Sequence, residues 1–594
     1  MMAELFVVLV CASAVASFAK WRGWPAPLLV TGVALAASLL PIVPDLTLDG
    51  DVLLALVLPP LLYSASLDAS FLSFRQAAPH VRRLGVGLVA VTAAAVGLVA
   101  WLMMPELGIA GALLLGAIVG PPDAVSAAAI GRKLGLPRRV MTVISGESLI
   151  NDATSLTLVR VFAAIVAGAT VTLWDGLGGF ALAVVVGVAV GLVAGTGLHA
   201  LRMHVDDPVV TGSVGLLLPF GVYAIAEHLG GSGVLAVVAM GLFVGYQAPR
   251  APYATRMQDG PVWASMDFLL EAFVFAYIGL QLPTVIAEVG SSHGSTTVLL
   301  ALAVLGTVLV VRPLFVFGAY AWGQWLQGAR LVRWKHAVEA FQRDPRSRGA
   351  KPVRAARAKA QRRGGASASA LVQNRILEPR LSWQDRAVIS WAGMRGVVTL
   401  AMALALPELT DGGMPSGQVE VLVTVAFAVT VGTLLLQGLT LPALIRGLGV
   451  SSEDERASDE RAITRVRRLS NAAGIEYLRR RQQSWLDAHG SDGDAIFKKY
   501  SRMLLRLEKE SDRAERQRDL VEDEAALARR GAIGRELTAL SKGWLEVRRR
   551  VLLEECRAGR LSEEVMRELL RAVDAEELAL DARGSARGDD ARAG

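Results

Sequence analysis

The sequence predicts an all-α polytopic membrane protein followed by a helical, highly charged cytoplasmic tail. Three observations carry this reading. Long apolar runs fill the chain up to about Val450, Lys and Arg alternate between successive connections, and from Ser451 onward Arg, Glu, Asp and Lys are dense with no run able to span a bilayer. The overall 53% hydrophobic and 19% charged residues therefore average two unlike parts, 1–450 and 451–594.

A bilayer core of about 30 Å takes roughly 20 mostly apolar helical residues, because no water there satisfies a bare backbone. Such runs fall at about 4–20, 26–43, 52–67, 84–104, 108–131, 140–167, 175–201, 209–227, 232–248, 263–283, 296–323, 385–407 and 418–446, thirteen in all. The first has no positive residue ahead of it and no clear cleavage site, so it reads as a retained helix and not a signal peptide. Cys11 falls in that first span and Cys556 in the tail, so no structural disulfide is expected.

Odd-numbered connections carry Lys20 and Arg22, then Arg75, Arg82 and Arg83, then Arg132, Lys133, Arg138 and Arg139, then Arg202, then Arg250 and Arg256, then a basic segment from Arg330 to Arg386. The even-numbered ones carry no Lys or Arg. The positive-inside rule puts the odd connections in the cytoplasm, the N-terminus outside and the tail inside, as an odd number of spans requires. The formal net charge of +7 is thus read as topology, with no nucleic-acid partner expected. The basic segment at about 324–383 reads either as a solvated cytoplasmic loop touching anionic headgroups or as a plain linker. The tail, with helical patterning at Tyr500–Leu507 and Leu537–Leu553, reads as a regulatory module, a dimerising element or a solubilised extension.

Two spans look broken. The fifth is interrupted at Gly120-Pro-Pro-Asp123 and the twelfth at Gly393-Met-Arg-Gly396, about seven spans apart, as inverted repeats in two halves of a secondary transporter would place them. Ionisable groups at mid-span are costly and so mark candidate sites. In the sixth span, Gly146-Glu-Ser-Leu-Ile-Asn-Asp152, helical spacing gathers Glu147, Ser148, Asn151 and Asp152 on one broad face. A single polar group there would only glue helices together; two carboxylates with an amide and a hydroxyl point to a site. Pro122 has no amide hydrogen and frees nearby carbonyls, and Asp123 either caps the following half-helix, binds a cation, or both. These oxygens suit a hard cation such as Na⁺.

Arg395, inside the twelfth span, cannot shed its charge, and Glu147 is its natural partner. Arg160 and Arg312 read first as packing residues, with Glu271, one turn after Asp267, a plausible partner for either; Glu271 and Arg312 are also possible accessory residues of the site. The tail carries no Cys/His cluster, phosphate-binding Gly loop or triad, so an enzyme is not expected.

The motifs Gly-Pro-Pro-Asp-Ala-Val (120–125), Gly-Glu-Ser-Leu-Ile-Asn-Asp (146–152) and Gly-Met-Arg-Gly-Val-Val (393–398), in this order, resemble the NhaP/NHE branch of the monovalent cation:proton antiporters over about residues 5–450. The resemblance implies a thirteen-helix, usually dimeric Na⁺/H⁺ exchanger of a bacterial-type plasma membrane, serving pH and Na⁺ homeostasis without a cofactor. It implies Asp152 as the alternating carrier of cation and proton. Asp123, Ser148 and the Pro122 carbonyl are implied as further cation contacts, Asn151 as the polar neighbour, and Glu147 as paired with Arg395. Asn151 resembles the electroneutral branch. Pro122 stands where Thr is frequent and Ser64 where many relatives carry Glu, which leaves Na⁺, Li⁺ and K⁺ open. The competing readings are a K⁺/H⁺ exchanger and a cation channel; no selectivity-filter run or pore-lining charged ring supports the latter.

Overall fold

The structure is a computed structural model and describes residues 2–40, 50–170, 173–205, 207–289, 294–361, 381–410, 413–510 and 531–590. It resolves into two compact units. One comprises Met1–Gln247 with Gly260–Ser452, the other Ala248–Asp259 with Glu453–Gly594.

In the first unit the helices are α1 (Met2–Arg22), α2 (Ala26–Ala37), α3 (Gly50–Asp68), α4 (Phe71–Arg82), α5 (Val89–Met103), α6 (Gly108–Val119), α7 (Ala124–Leu134), α8 (Arg138–Val166), α9 (Leu173–His204), α10 (Pro208–His228) and α11 (Gly233–Gln247). They continue as α12 (Tyr253–Leu280), whose first turns belong to the second unit, α13 (Leu282–Val289), α14 (Gly294–Arg343), α15 (Lys351–Gln361), α16 (Trp383–Trp391), α17 (Val397–Leu404) and α18 (Ser416–Leu448). Most predicted spans fall on a helix or a broken pair; the second, 26–43, is helical over Ala26–Ala37, with 41–43 outside the described residues, and there is no strand among the described residues. Nine described helices are long and apolar enough to cross a bilayer on their own.

Two further boundaries differ from the sequence reading. A π-helical stretch, Arg83–Leu88, joins α4 to α5 in one 33-residue rod, Phe71–Met103. Hydropathy sees only the apolar part of this rod, whereas the helix begins where the Ser70 hydroxyl caps the Ser73 amide at 3.1 Å. The expected loop from 324 instead continues α14 as far as Arg343. Ala, Leu, Arg and Lys sustain that helix until Pro345, which disfavours helical backbone in the residue before it. Residues 362–380 of this segment lie outside the described residues.

Outward faces are apolar, with Leu182, Val185 and Val193 of α9 and Leu299 and Leu302 of α14 exposed. Such a surface belongs against lipid. Polar residues are held inside, among them Thr31, Thr92, Asn151, Ser155, Thr430 and Thr433. Close helix crossings depend on glycine: a Cβ on Gly116 of α6 would lie 2.2 Å from the Ala93 carbonyl oxygen of α5.

In the second unit α19 (Glu453–Glu510), α20 (Gly531–Arg557) and α21 (Glu563–Asp590) bury Trp544, Leu545, Val565 and Leu570. Buried Asp574 accepts from Arg549 at 3.1 Å and from Arg256 of the 248–259 segment. Both cysteines are free, and burial pushes the Cys556 thiol up to about 11.

Candidate ion-binding site

The site is built where the two breaks cross. α6 stops at Val119 and α7 starts at Ala124, because Pro121 and Pro122 supply no amide hydrogens to continue the ladder. Asp123 caps α7, its carboxylate accepting from the Val125 amide at 3.0 Å, the Ser126 amide at 3.3 Å and the Ser126 hydroxyl at 2.8 Å. α16 stops at Trp391, and residues 392–396 run non-helical to α17. The Asp123 amide donates to the Met394 carbonyl at 2.6 Å, tying one break to the other. Gly396 is required there, since a Cβ would fall 2.7 Å from the Asp123 Cβ and Cγ. Asp123 therefore sits at the N-terminus of α7 and beside that of α17, both of which favour negative charge.

A half-helix ending inside a membrane leaves carbonyls without partners. Here each C-terminal end has its own arginine. Arg395 donates to the Val119 carbonyl at 3.0 Å, the Gly120 carbonyl at 3.2 Å and the Gly393 carbonyl, while its amide donates to the Thr433 hydroxyl of α18 at 3.0 Å. Arg312 of α14 donates to the Ile389 carbonyl of α16 at 3.1 and 3.3 Å. Further carbonyls around the first break are held by α8, through Asn151 Nδ2 to Pro122 at 2.7 Å and Ser155 Oγ to Ala117 at 2.6 Å.

The expected Glu147–Arg395 pair is corrected by this geometry. Glu147 is held by both prongs of Arg312, at 2.6 and 2.9 Å, with both side chains 2% exposed. Arg395 meets its need for negative charge in carbonyl dipoles instead, because α14, and not the twelfth span, brings a guanidinium in plane with the α8 carboxylate. Arg312 is thus more than a packing residue. Arg160 pairs with Glu227 of α10, so neither arginine takes Glu271 or Asp267. Asp267 instead accepts from the Ser64 hydroxyl of α3. Glu271, one turn further on, lies within electrostatic reach of Asp267, Arg132 and Asp123, with no ion pair among the described residues.

That leaves Asp152. It is 6% exposed, lies within electrostatic reach of Asp123, and has no hydrogen-bond or ion-pair partner among the described residues. Ser148 is half-buried one turn before it on α8. Asn151 is fully buried, with its Oδ1 unpartnered among the described residues. The Pro122 carbonyl is already bonded by Asn151, which leaves it one lone pair for any further contact. Ser126, Ser155 and Thr433 were missed by sequence reasoning. Of these, only Ser155 carried a signal, standing four residues after Asn151 on the same helical face.

A buried carboxylate without a fixed counter-charge, beside two crossed broken helices, is the arrangement of a secondary transporter. The chain belongs to the sodium/hydrogen exchanger family, whose transmembrane family model matches residues 6–447. An uncharacterised Na⁺/H⁺ exchanger of Mycobacterium bovis is 32% identical over 455 residues, covering 75% of this chain and 74% of its own. The Na⁺/H⁺ antiporter ApNhaP of Aphanothece halophytica is 26% identical, covering 74% of this chain and 72% of its own. A sodium, potassium, lithium and rubidium/H⁺ antiporter of Bacillus subtilis is 25% identical, covering 71% and 58%. In fold, the chain is similar to the sodium proton antiporter MjNhaP1 of Methanocaldococcus jannaschii, with a TM-score of 0.52 and 18% identity over 74% of this chain and 98% of that one.

Proposed function

We propose that this chain exchanges Na⁺ for H⁺, one for one, with Asp152 carrying each in turn. The observation that carries this reading is the buried Asp152 carboxylate, which has no hydrogen-bond or ion-pair partner among the described residues. A charge so placed is costly without a partner, so a proton or a cation must neutralise it, and the two compete for the same oxygens. Asp123 and Ser148 supply the remaining cation contacts, with Asn151 holding the backbone of the break beside them. Occupied by either ion, the site is neutral enough to move between the two sides; empty, it is not. A gradient of one pH unit supplies about 1.36 kcal/mol per proton and can drive a roughly tenfold Na⁺ gradient.

The chain works in this reading as a homodimer in a plasma membrane, with the N-terminus outside and the tail in the cytoplasm, as the distribution of Lys and Arg suggests. K⁺ is a second candidate substrate, because relatives named for sodium, potassium, lithium and rubidium cover most of the chain. Dequenching of a pH dye in proteoliposomes, scanned over Na⁺, Li⁺ and K⁺, tests both. A response to none of these ions would reject the exchanger reading.

A further inference from the structure

Beside the second break stands a buried hydroxyl. Thr399, in the first turn of α17, is 1% exposed, and its Oγ1 has no hydrogen-bond partner among the described residues. Buried threonines elsewhere in the bundle donate to the carbonyl four residues back, Thr154 to Ile150 at 3.0 Å and Thr430 to Ala426 at 2.7 Å. For Thr399 that residue is Arg395, which lies in the non-helical stretch before α17 begins at Val397. The break thus removes the usual acceptor of this side chain, and a buried polar group left without a partner is costly unless something else answers it.

Three contacts fix the direction in which position 399 faces. Gly396, the N-cap of α17, lies against Asp123, where a Cβ would fall 2.9 Å from Oδ2. Met402, three residues after Thr399, meets α8, its Sδ accepting from the Ser155 hydroxyl at 3.5 Å. The other side of α17, at Ala401 and Ala405, is taken by Gly50 of α3, on which a Cβ would lie 2.5 Å from the Ala401 carbonyl oxygen. At about 100° per residue, Thr399 lies between the directions of Gly396 and Met402, roughly 60° from each, and faces away from α3. On α8, Asp152 stands between Ser155 and Asn151, whose Nδ2 holds the Pro122 carbonyl of the first break. Thr399 therefore faces the space bounded by Asp123 and by the turn of α8 that bears Asp152.

We propose that Thr399 is a further cation ligand of the Asp152 site, so that both broken helices contribute an oxygen, Asp123 from the first and Thr399 Oγ1 from the second. A hydroxyl suits a hard alkali cation, because it offers a lone pair to the ion while its own proton goes to a neighbouring carboxylate oxygen. The protonated site gains less from it, since a protonated Asp152 is already neutral. Thr399 thus biases the competition at Asp152 toward the cation.

The inference rests on the exchanger reading, and the test separates the two. Wild type, Thr399→Val, Thr399→Ser and Thr399→Ala are compared by melting in detergent, as NaCl or the alkali chloride that the wild type exchanges replaces choline chloride, and by cation-driven exchange in proteoliposomes. Valine keeps the shape and removes the hydroxyl, so without the cation Thr399→Val should melt no lower than the wild type. The cation concentration that half-saturates both the melting shift and exchange should rise at least about fivefold, a larger factor than any fall in maximal rate. At fixed cation, the pH below which exchange fails should move upward, because protons then compete better for Asp152. Serine should restore the wild type's half-saturation, and alanine decides by the same measure if the valine variant does not reach the membrane. Half-saturation equal to the wild type's without the hydroxyl overturns the role of Thr399 alone, as does a defect that serine leaves unrepaired. A wild type that exchanges no cation overturns the functional reading, and this inference with it.

Discussion

Glu147 of α8 and Arg312 of α14 meet as a two-pronged ion pair, Nη1 to Oε1 at 2.6 Å and Nη2 to Oε2 at 2.9 Å, and the same guanidinium holds the Ile389 carbonyl. One side chain thus neutralises a buried carboxylate and caps the end of a broken helix. Asp152, five residues from Glu147, keeps no such partner among the described residues.

Removing one member of that pair should be costly. Arg312→Ala leaves Glu147 uncompensated and should lower stability by about 3–5 kcal/mol, seen as a fall in the melting temperature of the detergent-solubilised protein. Adding Glu147→Gln to Arg312→Gln should recover part of the loss. A double variant no better than the single one would show that the pair is not the source of the effect.

Arg395 should behave differently, because its partners are carbonyls and not a carboxylate. Arg395→Ala strands the Val119 and Gly120 carbonyls, each at about 1–3 kcal/mol. Here Glu147→Gln should give no rescue. Lysine, a single ammonium in place of a fork, should restore only part of the stability. Rescue of Arg395→Ala by Glu147→Gln, in the same melting assay, would return Arg395 to the role of Glu147's partner.

Asp152→Asn should abolish exchange while leaving the fold intact, since the amide neither takes up a proton nor balances a cation. Near-normal exchange by a monodisperse variant with an unchanged melting temperature would sink the carrier assignment.

Exchange should be indifferent to membrane potential. Position 151 is an amide, Glu147 is bound to Arg312, and the Asp123 oxygens are engaged by three hydrogen bonds at a helix N-terminus, so in the proposed scheme Asp152 alone exchanges a proton. Rates in proteoliposomes should therefore hold steady as a potential is imposed by K⁺ and valinomycin, once K⁺ is shown not to be a substrate. A steep dependence would reject one-for-one exchange and point first to Asp123.

How much of this was legible in the sequence follows from what each feature depends on. Spans, breaks and the polar face of α8 are local: an apolar run of sufficient length has to be helical in lipid, two successive prolines have to interrupt it, and residues three and four apart have to share a face. Those facts fix Glu147, Ser148, Asn151 and Asp152 on one helix and Asp123 at a helix start before any coordinate is known. Partnership is not local. Three arginines lie in or near the spans, any of which satisfies charge balance with Glu147 on paper, and only the packing of α14 against α8 and α16 makes Arg312 the partner and turns Arg395 toward the carbonyls of α6. The contacts of Ser64 with Asp267 and of His80 with Tyr320 likewise join residues more than two hundred positions apart. By itself the sequence determined which carboxylates enter the membrane. The tertiary structure decided which of them are neutralised there, because a buried charge is settled by the one group within hydrogen-bonding distance, and that group is chosen by helix packing.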